Sequence, residues 1–169
     1  MKRTYPYISA LVVAGALFGC QTSNTEVAIA NGFPEGPDAP TLTKTWLRST
    51  LYLEPIAPGA TSESLRVGTG AEPAWAILSL SDPRAPDAPP SITVARTRAV
   101  IAIEPGDERT IVISPETAFV GCGGPGGLSP EDYAVARERI FPGEGLPPFD
   151  PATGCVAKAP EAVVDGGAD

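Results

Sequence analysis

Short runs of alternating apolar and polar residues, broken every few positions by proline or glycine, fill the chain from residue 44 to 121. That alternation has the period of a half-buried strand and predicts β-structure throughout the region. Trp46-Leu47-Arg48-Ser49-Thr50-Leu51-Tyr52-Leu53 reads as one strand ending at Glu54-Pro55. Leu47, Leu51 and Leu53 fall on one side of it; Trp46, Arg48, Thr50 and Tyr52 fall on the other. Pro58-Gly59 turns the chain into Leu65-Arg66-Val67, which stops at Gly68-Thr69-Gly70. Ala74-Trp75-Ala76-Ile77-Leu78-Ser79-Leu80 is apolar on both sides at its centre, the mark of a strand inside a sheet. The loop 82–90 carries four prolines and is expected to be extended and exposed.

Apolar residues occupy even positions at Ile92 and Val94, then odd positions at Ile101 and Ile103. A one-residue slip turns every side chain over, so a bulge or break is predicted between Arg96 and Arg98. Strands at 100–103 and 110–113 flank Glu104-Pro105-Gly106-Asp107-Glu108, which reads as a hairpin turn.

The period changes after Phe119-Val120. Cys122-Gly123-Gly124-Pro125-Gly126-Gly127 is a flexible loop, and Ser129-Pro130-Glu131-Asp132 is a helix start: a hydroxyl cap, proline in the first turn, carboxylates at the positive dipole end. This helix is expected to reach about Ile140 and stop before Pro142-Gly143, with Phe141 and Phe149 packing it onto the sheets. Residues 20–43, with Asn31-Gly32, Pro34, Gly36-Pro37 and Pro40, read as a flexible tether containing a short strand at Val27, Ala28 and Ile29. Residues 156–169 read as a disordered acidic tail.

The opposite pattern opens the chain. Lys2 and Arg3 precede an apolar stretch from 8 to 18. As a helix it rises about 16 Å, roughly half of a ~30 Å hydrocarbon core, which suits a cleaved secretory signal over 1–19 better than a permanent span. It ends in Leu17-Phe18-Gly19-Cys20. These four residues resemble the lipobox of bacterial lipoproteins: aliphatic, variable, small, cysteine. The resemblance implies cleavage between Gly19 and Cys20, a diacylglyceryl group on the Cys20 thiol, and acylation (palmitate or a similar chain) of the new amine. Phe18 is bulkier than the usual occupant of its position. Gln21, where an aspartate is the inner-membrane retention signal, implies an outer-membrane destination for the anchored protein.

Cleavage would remove Lys2 and Arg3 and leave ten cations against twenty carboxylates, a formal charge of −10. That balance argues against nucleic acid and against electrostatic adhesion to anionic lipid. With Cys20 lipidated, Cys122 and Cys155 remain, and in an oxidising periplasm they are expected to form a disulfide closing the 122–155 excursion, worth roughly 3–4 kcal/mol in the chain-entropy model. The sequence has no histidine, so a zinc pair at these thiols lacks ligands, and its one methionine, Met1, leaves with the signal, which speaks against copper.

Catalysis finds equally little support. Without histidine there is no Ser-His or Cys-His pair, and neither a Gly-x-Ser-x-Gly elbow nor a Ser-x-x-Lys is present. The glycines of 121–127 lack the Lys-Ser/Thr of a phosphate loop. Asp107/Glu108 and Glu131/Asp132 suit a turn and a helix cap; a weak calcium site at Asp82/Asp87 or Asp107/Glu108 and a carboxylate-based hydrolase stay open as alternatives. No catalytic residue, metal or cofactor is assigned.

Strand count and loop lengths suggest an immunoglobulin-like β-sandwich over 44–121 with one short helix in the excursion. The succession of Ala57-Pro58-Gly59, Thr69-Gly70-Ala71-Glu72-Pro73 and Glu104-Pro105-Gly106-Asp107-Glu108-Arg109-Thr110-Ile111-Val112-Ile113 resembles bacterial Ig-like envelope modules. A transthyretin-like sandwich is the alternative. The implied role is a non-catalytic structural or binding lipoprotein held to the membrane by its lipid, or an accessory lipoprotein docking an envelope-spanning secretion or assembly machine. Trp46, Tyr52 and the Cys122–Cys155 excursion are the candidate contact face, with ordinary core packing the favoured alternative for them.

Overall fold

The computed structural model describes residues 25–85, 87–88, 90–121, 127–146 and 148–149. Strands follow one another as β1 (Glu26–Asn31), β2 (Thr41–Leu47), β3 (Thr50–Tyr52), β4 (Leu65–Arg66), β5 (Gly70–Glu72), β6 (Trp75–Leu80), β7 (Ser91–Thr97), β8 (Ile101–Ile103), β9 (Glu108–Ile113) and β10 (Ala118–Val120). Helix α1 (Pro130–Val135) then continues as a π-helical turn, Ala136–Ile140. The protein is mainly β with several sheets and one short helix. One sheet has the order β4-β1-β9, a second β10-β7-β6-β2-β3, and β5 pairs with β8 as a two-stranded ribbon.

The first two sheets close on one aliphatic layer. Val27, Ile29, Ile111 and Ile113 from one meet Leu42, Leu47, Ala76, Leu78 and Ala95 from the other in a single buried cluster. Period-two alternation places them there: along β6, Ala76 and Leu78 point inward while Trp75 and Ile77 belong to a second cluster on the outer face. Strand β6 lies between β2 and β7 and is apolar on both faces because both are covered, as its composition predicted.

Four expectations change. The chain is not a tether through residue 43. Strand β1 pairs in parallel with β9 from Glu26↔Glu108 to Asn31↔Ile113, and Val27, Ala28 and Ile29 are all buried. Asn31, 1 % exposed, then stitches down the following loop: its Nδ2 donates to the carbonyls of Pro40 and Ile56, both at 2.9 Å, and its Oδ1 accepts from Phe33 N at 3.1 Å. The proline-rich composition of 32–40 is that of an ordered crossing loop held by a buried amide.

The strand read over 46–53 is a hairpin. Arg48 and Ser49 take φ of 47° and 63°, the two left-handed residues of a type I′ turn, and β2 folds back on β3 with Trp46 opposite Leu51 and Thr45 opposite Tyr52. The turn reverses the sidedness downstream of it, so Tyr52 joins Leu47 in the core and Leu51 stands with Trp46 outside.

The turn at 104–107 forms, with Asp107 N on Glu104 O at 3.2 Å and Glu104 N on the Asp107 carboxylate at 2.9 Å. Its two strands nevertheless part: β8 pairs with β5 and β9 with β1. Gly70–Glu72, at and just beyond the Gly68-Thr69-Gly70 stop, supply that β5 partner. The parity slip after Val94 is resolved as expected, by a break: β7 ends at Thr97, and the chain changes sheet before β8.

The helix starts where predicted. Ser129 is its N-cap, its hydroxyl accepting from Asp132 N at 3.1 Å, with Pro130 in the first turn. Leu128, Tyr133, Ala136, Phe141 and Leu146 bury the segment against Trp75, Ile77 and Val94 on the outer face of the five-stranded sheet. Lys44 on β2 makes an ion pair with Glu144 at its far side. Cys20, Cys122, Cys155, the signal over 1–19 and the tail 156–169 lie outside the described residues.

Candidate functional site

A single cross-strand row builds the most distinctive surface. Leu51 on β3 faces Trp46 on β2; Trp46 faces Trp75 on β6; Trp75 faces Arg96 on β7; Arg96 faces Phe119 on β10. All five project from the outer face, because residues directly opposite each other in a sheet share a side. The Arg96 guanidinium carbon lies 5.6 Å from the Trp75 ring centre and 5.3 Å from that of Phe119, and Arg98 covers Phe119 at 4.4 Å. Alternating rings and guanidinium planes hold one another by cation–π attraction.

The helix makes this row one wall of a groove. Asp132, in the first turn of α1, accepts from Arg96 Nη1 at 2.5 Å and so docks the helix beside the row. Trp46, Glu72, Trp75, Arg96, Asp132 and Arg139 line a cavity of about 410 Å3 between the sheet and the helix, within the range of small-ligand sites. Glu72 is set from the other side by the β2–β3 turn: Arg48 Nη1 stands 3.3 Å from its Oε2, and Arg48 Nη2 donates to the Thr69 carbonyl. The guanidinium packs onto Gly70, where φ is 126° and any Cβ would strike it. Arg48 Nε, Glu72 Oε1 and Arg96 Nε are buried without a hydrogen-bond partner. Such atoms carry a desolvation cost of about 1–3 kcal/mol each, more for charged groups, unless water or a ligand meets them.

Chemically the groove offers one partly exposed indole, donors from arginine and acceptors from carboxylates, each carboxylate already paired to an arginine. That set suits non-covalent recognition of a ring-bearing ligand rich in hydroxyl or amide groups.

Of the residues singled out from sequence, Trp46 lines this groove and the excursion supplies its second wall through Asp132 and Arg139. Tyr52 does not reach a surface. It is 2 % exposed, its hydroxyl donates to Val27 O at 2.5 Å, and burial pushes its pKa up to about 12. Asp82 accepts from Arg84 N at 2.8 Å, and Asp107 closes its own turn while facing Arg109 at 3.7 Å. Among the described residues no group of three or more His, Cys, Asp or Glu side chains is placed to share a metal ion. Sequence reasoning missed Trp75, Arg96, Glu72 and Asp132 as one constellation. In the sequence Arg96 figures only at the edge of a predicted break and Asp132 only in a helix start; strand register, unreadable from one chain, brings them together.

No known protein family, curated protein or solved structure matches the chain. Among the described residues no helix is long and apolar enough to cross a membrane.

Proposed function

We propose that this protein is a lipid-anchored, non-catalytic binding module of the bacterial envelope, built on an immunoglobulin-like β-sandwich with an added helical excursion. The observation that carries the reading is Leu17-Phe18-Gly19-Cys20 at the end of a short apolar leader. Two or more acyl chains on one cysteine hold a domain at a membrane durably, whereas one chain does so only reversibly. Two facing sheets sharing one aliphatic layer support the sandwich assignment. The groove beside Trp46 supports a binding role, and its mixture of an aromatic face with donors and acceptors favours a saccharide unit of the cell wall or surface. Gln21 favours the outer membrane.

Labelled palmitate is expected to enter the wild-type protein and not Cys20→Ala, which is expected to leave the membrane fraction. An unmodified native N-terminus by mass spectrometry overturns the anchor. Retention on cell-wall glycan that Trp46→Ala abolishes supports the binding role; retention unchanged in Trp46→Ala removes the groove from it.

A second reading, an accessory lipoprotein docking an envelope protein machine, is favoured by one other surface. Leu51 and Leu53, 37 % and 64 % exposed, stand with Leu65 around a cleft of about 210 Å3 beside edge strand β3. Stoichiometric capture of one envelope component by the anchored protein, lost in Leu53→Glu, selects this reading.

A further inference from the structure

The folded domain starts so soon after Cys20 that the anchor dictates how the domain lies. Residues 21–25 alone separate the cysteine from β1. Five residues reach at most about 18 Å when fully extended. The headgroup layer takes up about 5–8 Å of that, because the bilayer is ~40–45 Å thick overall around a ~30 Å core. From this reach, and resting on the lipidation of Cys20 proposed above, we infer that the end of the fold around Thr25 is held against the lipid headgroups of the membrane that carries the anchor.

The leash cannot be lengthened by fraying without dismantling the fold. Thr25 is 5 % exposed; its carbonyl accepts from Val67 N at 3.1 Å, and its hydroxyl accepts from Gly106 N at 3.2 Å and donates to Glu104 O at 3.3 Å. Glu26 N donates to Asp107 O at 2.8 Å, and β1 is then paired with β9 along its whole length. The surface nearest the anchor is therefore the 104–107 turn and the 66–69 loop, both exposed apart from the half-buried Asp107 and buried Val67. Gly68 lies against the Arg48 carbonyl, and Arg48 pairs with Glu72 in the groove wall. The Arg48–Glu72 edge of the groove thus neighbours this end of the fold.

Charge does not draw this end to lipid. Glu26, Glu104, Asp107 and Glu108 outnumber Arg66 and Arg109 there. The apposition comes from the high local concentration that a short leash imposes, so it is indifferent to anionic lipid and depends steeply on leash length.

The test uses the mature lipidated chain in phosphatidylcholine vesicles, with amide exchange read in peptides covering 64–70 and 102–108. Two comparisons accompany it: soluble Cys20→Ala, and a lipidated variant with about 20 Gly/Ser residues inserted after Gln21, which adds a flexible reach of roughly 25 Å. The expected result is a several-fold slowing at both segments in the native protein only, with the loop 57–60 at the opposite end of β1 unchanged. Protein that floats with vesicles yet exchanges at both segments like Cys20→Ala overturns the inference and leaves the anchor standing. Protein that does not float removes the anchor, and the inference falls with it.

Discussion

The five-stranded sheet is covered on both faces, and the two covers are made of different material. Its inner face meets β1 and β9 through Leu42, Leu47, Ala76, Leu78 and Ala95, small and branched aliphatics, with Tyr52 and the loop residue Phe33 as aromatics in the same cluster. Its outer face meets the helical excursion through Trp75, Tyr133, Phe141 and Leu146, with Trp46, Phe119 and Phe149 partly buried at the margins. The inner layer is closed and almost wholly apolar. The outer layer is aromatic, admits Arg96 and Asp132, and leaves a groove. Aliphatic side chains fill a narrow gap between sheets at crystal-like density, while large rings span a wider, uneven gap and leave edges that polar groups can use. In this molecule one face of the sheet is sealed by an aliphatic layer, while the other carries an aromatic layer with a polar-edged groove.

That contrast can be broken. Leu78→Ala opens a cavity in the inner layer and is expected to cost about 2–5 kcal/mol of global stability in denaturant unfolding. Phe141→Ala, on the outer layer, is expected to free the excursion locally. Amide exchange would rise across Pro130–Val135 and Ala136–Ile140 while β6 stays protected; joint loss of protection in both would make the two layers one cooperative unit.

A pH titration sharpens the same comparison. Burial raises the Tyr52 pKa from 10.0 to about 12, so the fold favours its neutral form. The sign follows: this stabilisation is fully present below pH 10 and is lost as pH rises through the folded value near 12. Unfolding free energy is expected to fall by roughly 2–3 kcal/mol over that window, at 1.36 kcal/mol per unit. Tyr52→Phe should flatten most of the slope. The Tyr133 pKa in the outer layer is also raised by burial, opposed by the nearby charge of Arg137, so a slope of the same sign remains in Tyr52→Phe.

Smaller effects belong to local geometry. Ser129→Ala removes the N-cap and is expected to cost about 0.5–2 kcal/mol, read as faster exchange in α1 alone. Ser49→Gly relieves a left-handed serine in the β2–β3 turn and is expected to raise the melting temperature slightly, a gain of up to about 1 kcal/mol. A loss of stability there would mean that the serine side chain supports the turn.

What could be read in advance follows the range of the interactions concerned. The helix start at Ser129-Pro130, the turn at 104–107 and the doubly buried β6 are written in neighbouring residues and period, and each stands where it was read. The errors arise where contacts hundreds of atoms away along the chain decide. Nothing near Arg48-Ser49 signals a turn in the usual Asn-Gly letters; Glu72 and the Thr69 carbonyl, brought close by folding, hold the arginine in place. Nothing near Val27 says that it pairs with Arg109 in parallel, since that partner is separated from it by most of the fold. The groove lay in fragments: Trp46 and Trp75 in separate strand runs, Arg96 at a predicted break, Asp132 in a helix start.

By itself the order of residues determined the β character, the turn at 104–107 and the helix with its cap, because each rests on side-chain chemistry acting over a few neighbours. Only the tertiary structure decided that β1 is part of the core, that β8 and β9 separate, and that Trp46, Trp75, Arg96 and Asp132 line one groove. Register and sheet membership are set by which buried surfaces fit together across the whole chain, a long-range competition that local period does not encode.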